Sequence, residues 1–105
     1  FSLNSAQAFY NSSTGVVAME VSGGSLGIDF LENSFATELN LNHSATGPVD
    51  FFATGRLFDG GYFHSSTDTQ RIAGAVSLDG QEAGYFFERQ LQDGGIQGLT
   101  LWDSQ

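Results

Sequence analysis

The sequence predicts an all-β chain, a single antiparallel barrel of about eight strands spanning residues 1–105, with a curled sandwich as the alternative closure. Three observations carry this reading. Apolar residues recur with period two rather than at the i, i+3, i+4, i+7 spacing of a helix. Short Gly, Asp, Asn and Ser clusters break the chain at the 8–12-residue intervals of sandwiches and barrels. Glycines Gly55, Gly74, Gly84 and Gly98 fall inside the strand patterns, where they normally weaken a strand and therefore call for a reason such as sharp curvature.

The elements follow in order. A first strand runs near Leu3 to Tyr10. Val17, Met19 and Val21 alternate with small or charged residues, Ser22-Gly23-Gly24 reads as a turn, and Leu26, Ile28 and Phe30 resume the alternation, which predicts a hairpin. Phe35, Thr37, Leu39 and Leu41 share one face of the next strand, opposite Ala36, Glu38, Asn40 and Asn42. Ser44 to Pro48 is a loop, Val49 to Phe58 a strand, and Asp59-Gly60-Gly61 the turn before a short Tyr62-Phe63 piece. Strands from Arg71 to Ser77, Ala83 to Arg89 and Ile96 to Trp102 complete the set, joined through Asp79-Gly80 and Asp93-Gly94-Gly95. Over the interior glycines, Phe52, Tyr85 and Trp102 are the rings predicted to cover bare backbone.

Composition narrows the function. Ten Phe, three Tyr and one Trp supply enough apolar surface for one core without any disulfide, and the chain has no cysteine. Twelve acidic residues against three basic ones give a formal net charge of -9. Such a chain offers no cationic track for phosphates, so nucleic-acid binding is excluded, and it lacks the basic clusters that dock on anionic membranes. No apolar run approaches the roughly eighteen residues of a membrane helix. The chain opens at Phe1, which is expected of a processed chain or an excised domain. Charged residues make up only 14%, and Ser, Thr, Asn, Gln and Gly fill the surface in the manner of secreted and surface β-domains.

The order Leu26-Gly27-Ile28-Asp29-Phe30, Phe35 to Leu41, Ile72-Ala73-Gly74-Ala75-Val76 and Ala83-Gly84-Tyr85-Phe86-Phe87-Glu88 resembles the C-terminal barrels of transferrin-binding-protein-B-like lipoproteins. It is similar also to barrels at the C-terminus of some FecR-domain proteins of Gram-negative bacteria. The resemblance implies an eight-stranded antiparallel barrel, no catalysis and a location outside the inner membrane, in the periplasm or at the cell surface. It carries over no site residues, and the lipobox cysteine of the lipoproteins is not in this sequence.

Chemistry-bearing constellations are sparse. Ser66 near His64 is the one local nucleophile–base candidate, without the glycines of a nucleophile elbow or a third residue. His43 and His64 are a hairpin's length apart and form no HxH or HExxH pattern, so single surface histidines are the plain reading; whether either binds metal or haem stays open, with Tyr62 and His64, which share a strand face, a haem or iron candidate by proximity. Asp59, Asp79 and Asp93 precede glycines as turn residues do and lack calcium-loop spacing. Asp29, Glu38, Glu82 and Glu88 fall on polar strand faces, and Gly23-Gly24 leads into a strand rather than the helix of a phosphate cradle. The expectation is a non-enzymatic module with no catalytic residue, metal or cofactor.

Strand polarity supplies the candidate site. Asp50, Thr54 and Arg56 turn the even positions of their strand outward and carry Phe52 and Phe58 with them, while Glu82 and Glu88 do the same for Phe86. With the strand from Arg71 between them, small Ala73 and Ala75 would let Phe52, Phe58 and Phe86 close into one exposed patch facing a protein or a neighbouring domain, unless Phe9 and Tyr10 cover it. Two uses of the barrel stay open. Large inward residues such as Phe30, Leu39 and Phe51 would make it a binding or support module, and an open interior would make it a lipocalin-like carrier of a small apolar ligand.

Overall fold

The computed structural model describes residues 1–104 and contains eight strands: β1 (Ser2–Ser12), β2 (Gly15–Asp29), β3 (Ser34–His43), β4 (Gly47–Phe58), β5 (Tyr62–Ser66), β6 (Gln70–Val76), β7 (Glu82–Leu91) and β8 (Gly94–Asp103). Each is antiparallel to its sequence neighbour, and β8 returns to pair with β1, so the sheet closes as an up-and-down ring. The all-β, antiparallel, closed reading of the sequence is borne out.

The ring is flattened, with extents of 43 × 26 × 17 Å. Backbone pairing explains the flattening. Between β1 and β2 it is confined to Ala8–Ser12 against Gly15–Met19, and between β4 and β5 to Arg56–Phe58 against Tyr62–His64. The two narrow seams divide the ring into one wall of β2–β3–β4 and another of β5–β6–β7–β8–β1. Side chains from both walls meet between them, as in a sandwich. Along the seams the strand edges are bridged by other groups. The Phe1 nitrogen donates to the Leu26 carbonyl at 3.0 Å, the Gln70 amide donates to the Phe52 carbonyl, and the Arg89 guanidinium donates to the Asp50 carbonyl at 3.2 Å.

One predicted element is corrected. Ser22-Gly23-Gly24 does not turn the chain, because β2 runs unbroken from Gly15 to Asp29 and its register against β3 shifts between Val21 and Gly23. An extra residue in a strand exchanges its two faces. The inward set therefore passes from odd positions (Met19, Val21) to even ones (Leu26, Ile28), the change of parity that read as a hairpin. A second shift, between Leu3 and Ser5 of β1, does the same for Leu3 against Ala8 and Tyr10. Phe30 is corrected too: it lies in the β2–β3 turn, half exposed, and does not fill the interior.

Inside, the walls meet through a chain of rings. Phe35 packs on Phe63 with centroids 4.7 Å apart, Phe51 on Phe87 at 4.9 Å, and Trp102 on Tyr85 at 5.9 Å; Tyr85 meets Phe63 and Phe87 edge-on at 6.3 and 6.2 Å. Tilted and edge-on pairs suit the ring quadrupoles, and together with Leu39, Leu41, Ile72 and Ile96 they make the core. So many rings fit a thin interior because several are seated where a side chain is missing. A Cβ on Gly55 would lie 2.8 Å from the Phe35 ring, one on Gly74 2.7 Å from Phe63, one on Gly98 2.8 Å from Phe87, and one on Gly24 3.3 Å from Trp102. Strand glycines do accompany aromatic cover as the sequence predicts. Of the three rings named for it, Tyr85 is beside Gly74, Trp102 covers Gly24, and Phe52 points outward and covers none.

Gly98→Ala would push a methyl into the Gln7 carbonyl and the Phe87 ring. Overpacking of this kind costs about 1–3 kcal/mol, and the midpoint of thermal unfolding is expected to fall by roughly 5–15 °C. Gly27 has open space around its Cβ position, so Gly27→Ala should shift the midpoint by no more than about 3 °C. A calorimetric comparison of the two variants checks the assignment.

Candidate functional site on the outer sheet face

The same alternation that fills the interior decides what the wider wall shows to solvent. Cross-strand register places Phe58, Tyr62, Ala75, Gly84 and Leu101 in one outward row from β4 to β8. The adjacent row is His64, Ala73, Phe86 and Leu99, ending on Gln7 of β1. Beyond it comes a polar row of Ser66, Arg71, Glu88 and Gln97, and on the other side the directly paired Glu82 and Asp103. Two apolar rows are thus framed by polar ones. Ala73, Ala75 and Gly84 lack bulk and form the floor of a groove of about 750 Å³ that runs from Tyr62 on β5 to Ser5 and Gln7 on β1. Tyr62, Phe86, Leu99 and Leu101 stand around that floor with 37–62% of their surface exposed.

The predicted patch is therefore revised. Phe52, Phe58 and Phe86 all point outward and are exposed, as their strand parity predicts. They do not form one cluster, because both β5 and β6 lie between β4 and β7. Phe86 lies within the groove. Phe58 sits at its margin beside Tyr62 and stacks on the His64 imidazole at 4.7 Å with an interplanar angle of 11°. Phe52 is beyond the end of β5, opposite Glu38 of β3. The floor of Ala73 and Ala75 is where the sequence put it. Phe9 and Tyr10 do not cover it: Tyr10 is buried, and Phe9 lies on β1 next to the polar row, paired with Gln97.

Sequence reasoning missed Tyr62, Leu99 and Leu101. A signal existed, since Gln97 and Asp103 have the parity of Leu99 and Leu101, while Ile96 and Trp102 mark the opposite face. The rest of the outer surface differs in character. The narrower wall shows Glu20, Glu38, Asn40 and Asp50 beside the separated Val16, Val17 and Phe52, and a smaller cleft of about 400 Å³ at the far end of the wider wall is lined by Thr67 to Arg71, Glu88 to Gln90 and Gly94 to Gln97.

The other candidates fall apart spatially or find local roles. The His64 ring lies against Phe58, and His43 accepts a hydrogen bond from the Ala45 amide at 3.0 Å. Asp29 accepts from the amides of Leu31 and Glu32, both at 3.0 Å, and Asp79 from the Ser77 hydroxyl at 2.6 Å and the Gln81 amide at 3.0 Å, which holds its carboxyl below the usual range. These are turn-forming contacts. No three His, Cys, Asp or Glu side chains gather in ligating positions among the described residues.

One polar chain runs through the interior. Tyr85 and Thr37 share a hydrogen bond of 2.7 Å between their hydroxyls, Thr37 donates to the Ser25 carbonyl at 2.8 Å, and the Trp102 indole donates to the Thr100 hydroxyl at 2.7 Å. Every fully buried side-chain nitrogen or oxygen among the described residues has a partner, so the chain adds orientation to the core without an orphaned group.

Comparison of the chain with protein-family models, with curated proteins and with solved structures gives no match.

Burial pushes the Tyr85 hydroxyl up to about 12, a shift that Thr37 and Thr100 partly oppose by hydrogen bonding. The unfolded chain loses this proton near 10.0 while the folded protein keeps it, so the contribution is intact below pH 10 and is lost as pH rises toward 12. The loss is on the order of 2 kcal/mol. Denaturant titrations across this window should show stability falling with pH in the wild type and a shallower slope in Tyr85→Phe.

Proposed function

We propose that this chain is a non-enzymatic β-barrel module of a Gram-negative envelope protein, acting outside the inner membrane by binding a protein or by supporting a neighbouring domain. The observation that carries the reading is the division of labour between the two faces of the wider wall. Its inner face is spent on the ring core, where Phe63, Phe87 and Trp102 are essentially inaccessible. Its outer face bears the largest group of exposed apolar side chains on regular strands, arranged in rows with polar borders. Contiguous apolar surface of this kind marks interaction sites.

The resemblance to the barrels of transferrin-binding-protein-B-like lipoproteins and FecR-associated proteins supports the envelope location and the non-catalytic role. The polar but weakly charged composition is in keeping with both. A carrier would need interior space that the ring chain occupies. It would also have to admit its ligand past Tyr85 and Trp102, whose rings are stacked between the walls.

Trp102 is the only tryptophan and lies within the core, so it reports on the interior. Titration with a long-chain fatty acid and with retinol should leave its emission unchanged. A saturable shift that is lost in a core variant such as Phe87→Leu would instead identify the domain as a carrier.

A further inference from the structure

We infer that the outer groove of the β5–β1 wall takes a cationic amphipathic polypeptide segment, an apolar stripe bordered by Lys or Arg, rather than a second copy of this chain. The inference rests on the docking reading above and names the chemistry of the partner.

Shape sets the first requirement. The groove crosses the strands from β5 to β1, four inter-strand steps, or roughly 19 Å at about 4.8 Å each. That span matches a helix of about 13 residues. The floor of Ala73, Ala75 and Gly84 accepts side chains from such a segment between Tyr62 on one side and Phe86, Leu99 and Leu101 on the other.

Charge sets the second. Glu82 and Asp103 are direct cross-strand partners with both side chains turned outward, one row beyond Gly84 and Leu101. Like charges in that position oppose pairing in the free protein. The Asn4 amide donates to Asp103 at 2.6 Å, but none of the three arginines is paired beside these acids: Arg56 is opposite His64, in line with the second apolar row, Arg71 is in the polar row beyond it, and Arg89, farther along β7, donates to the Asp50 carbonyl. Asp59 and Asp79 in the adjoining turns extend the same acidic border. A cation seated over Glu82 and Asp103 would relieve their repulsion, and it would be placed there by a segment whose apolar residues occupy the neighbouring rows.

Area and net charge argue against self-association. Tyr62, Phe58, Phe86, Leu99 and Leu101 together expose on the order of 500 Å² of apolar surface, near the top of what a monomer leaves bare. Two copies face to face would then bury about 1,000 Å², at the foot of the range for stable interfaces. Each copy would also bring a formal charge of -9.

The test uses two labelled amphipathic helical peptides of about 14 residues, one of Leu and Lys and one of Leu and Glu. They are titrated by fluorescence anisotropy against the wild type, Leu99→Ser/Leu101→Ser and Glu82→Gln/Asp103→Asn. The Lys peptide should bind the wild type with one-to-one saturation, lose affinity about tenfold or more with the double Ser variant, and lose affinity several-fold, with a weaker salt dependence, with the amide variant. The Glu peptide should not bind. Amide shift mapping on the wild type should place the Lys peptide over β6, β7 and β8, a readout independent of how the variants fold. Equal binding of the Lys peptide to the double Ser variant would reduce the effect to diffuse charge and overturn the inference. Equal binding of both peptides to the groove would overturn the cationic requirement and leave the docking reading intact. Absence of binding by the Lys peptide, or concentration-dependent dimerisation through this face on sedimentation, would also overturn it.

Discussion

The structure depends on aromatic rings seated against strand positions that carry no side chain. The short axis of the molecule is 17 Å, and large side chains of both walls share the interior, Phe35 against Phe63 and Phe51 against Phe87. Packing near crystal density tolerates neither voids nor overlap, so bulk on one wall must be answered by its absence on the other or on a neighbouring strand. Gly55 answers Phe35, Gly74 answers Phe63, Gly98 answers Phe87, and Gly24 makes room for Trp102 and Leu39. Tyr85 ties these pairs together through its contacts with Phe63, Phe87 and Trp102 and through its hydroxyl to Thr37 on the opposite wall.

Flattening has consequences at the edges. A round eight-stranded barrel would pair every strand along most of its length, whereas here β1/β2 and β4/β5 each pair along one end only. Open strand edges invite pairing with other chains. On β4 the exposed carbonyls of Asp50 and Phe52 are taken by the side chains of Arg89 and Gln70, so two residues from the wider wall close the seam that the short β5 leaves. The register shifts in β1 and β2 lie along the other seam, where an extra residue in each strand adds local twist.

Much of this was legible in the sequence, because strict alternation reports which face of a strand is buried. The inward set Phe35, Thr37, Leu39 and Leu41 and the outward set Phe52, Phe58 and Phe86 follow from parity alone. Parity fails where a strand gains a residue. Val21 and Leu26 differ in parity, and a turn at Ser22-Gly23-Gly24 and a bulge at the same place look alike in one dimension; only pairing with β3 distinguishes them. The candidate site was half legible for a related reason. Face is a local property, but which outward residues become neighbours depends on strand order, and the five-residue β5 inserted beside β4 separates Phe52 and Phe58 from Phe86 while bringing Tyr62 to Ala75 and, across β7, toward Leu101.

The seating of rings on glycines is most directly tested at Gly55 and Phe35, where the atoms nearest a new Cβ belong to side chains, Phe35 at 2.8 Å and Ser65 at 3.3 Å, and not to backbone. A double-mutant cycle of Gly55→Ala and Phe35→Leu, read by denaturant unfolding, isolates the coupling between them. Each single change is expected to destabilise the domain, and the double variant to be more stable than the sum of the two by at least about 1 kcal/mol, because the smaller side chain vacates the space the methyl needs. Additive losses, with the methyl as costly beside the substituted leucine as beside the native ring, would contradict that seating.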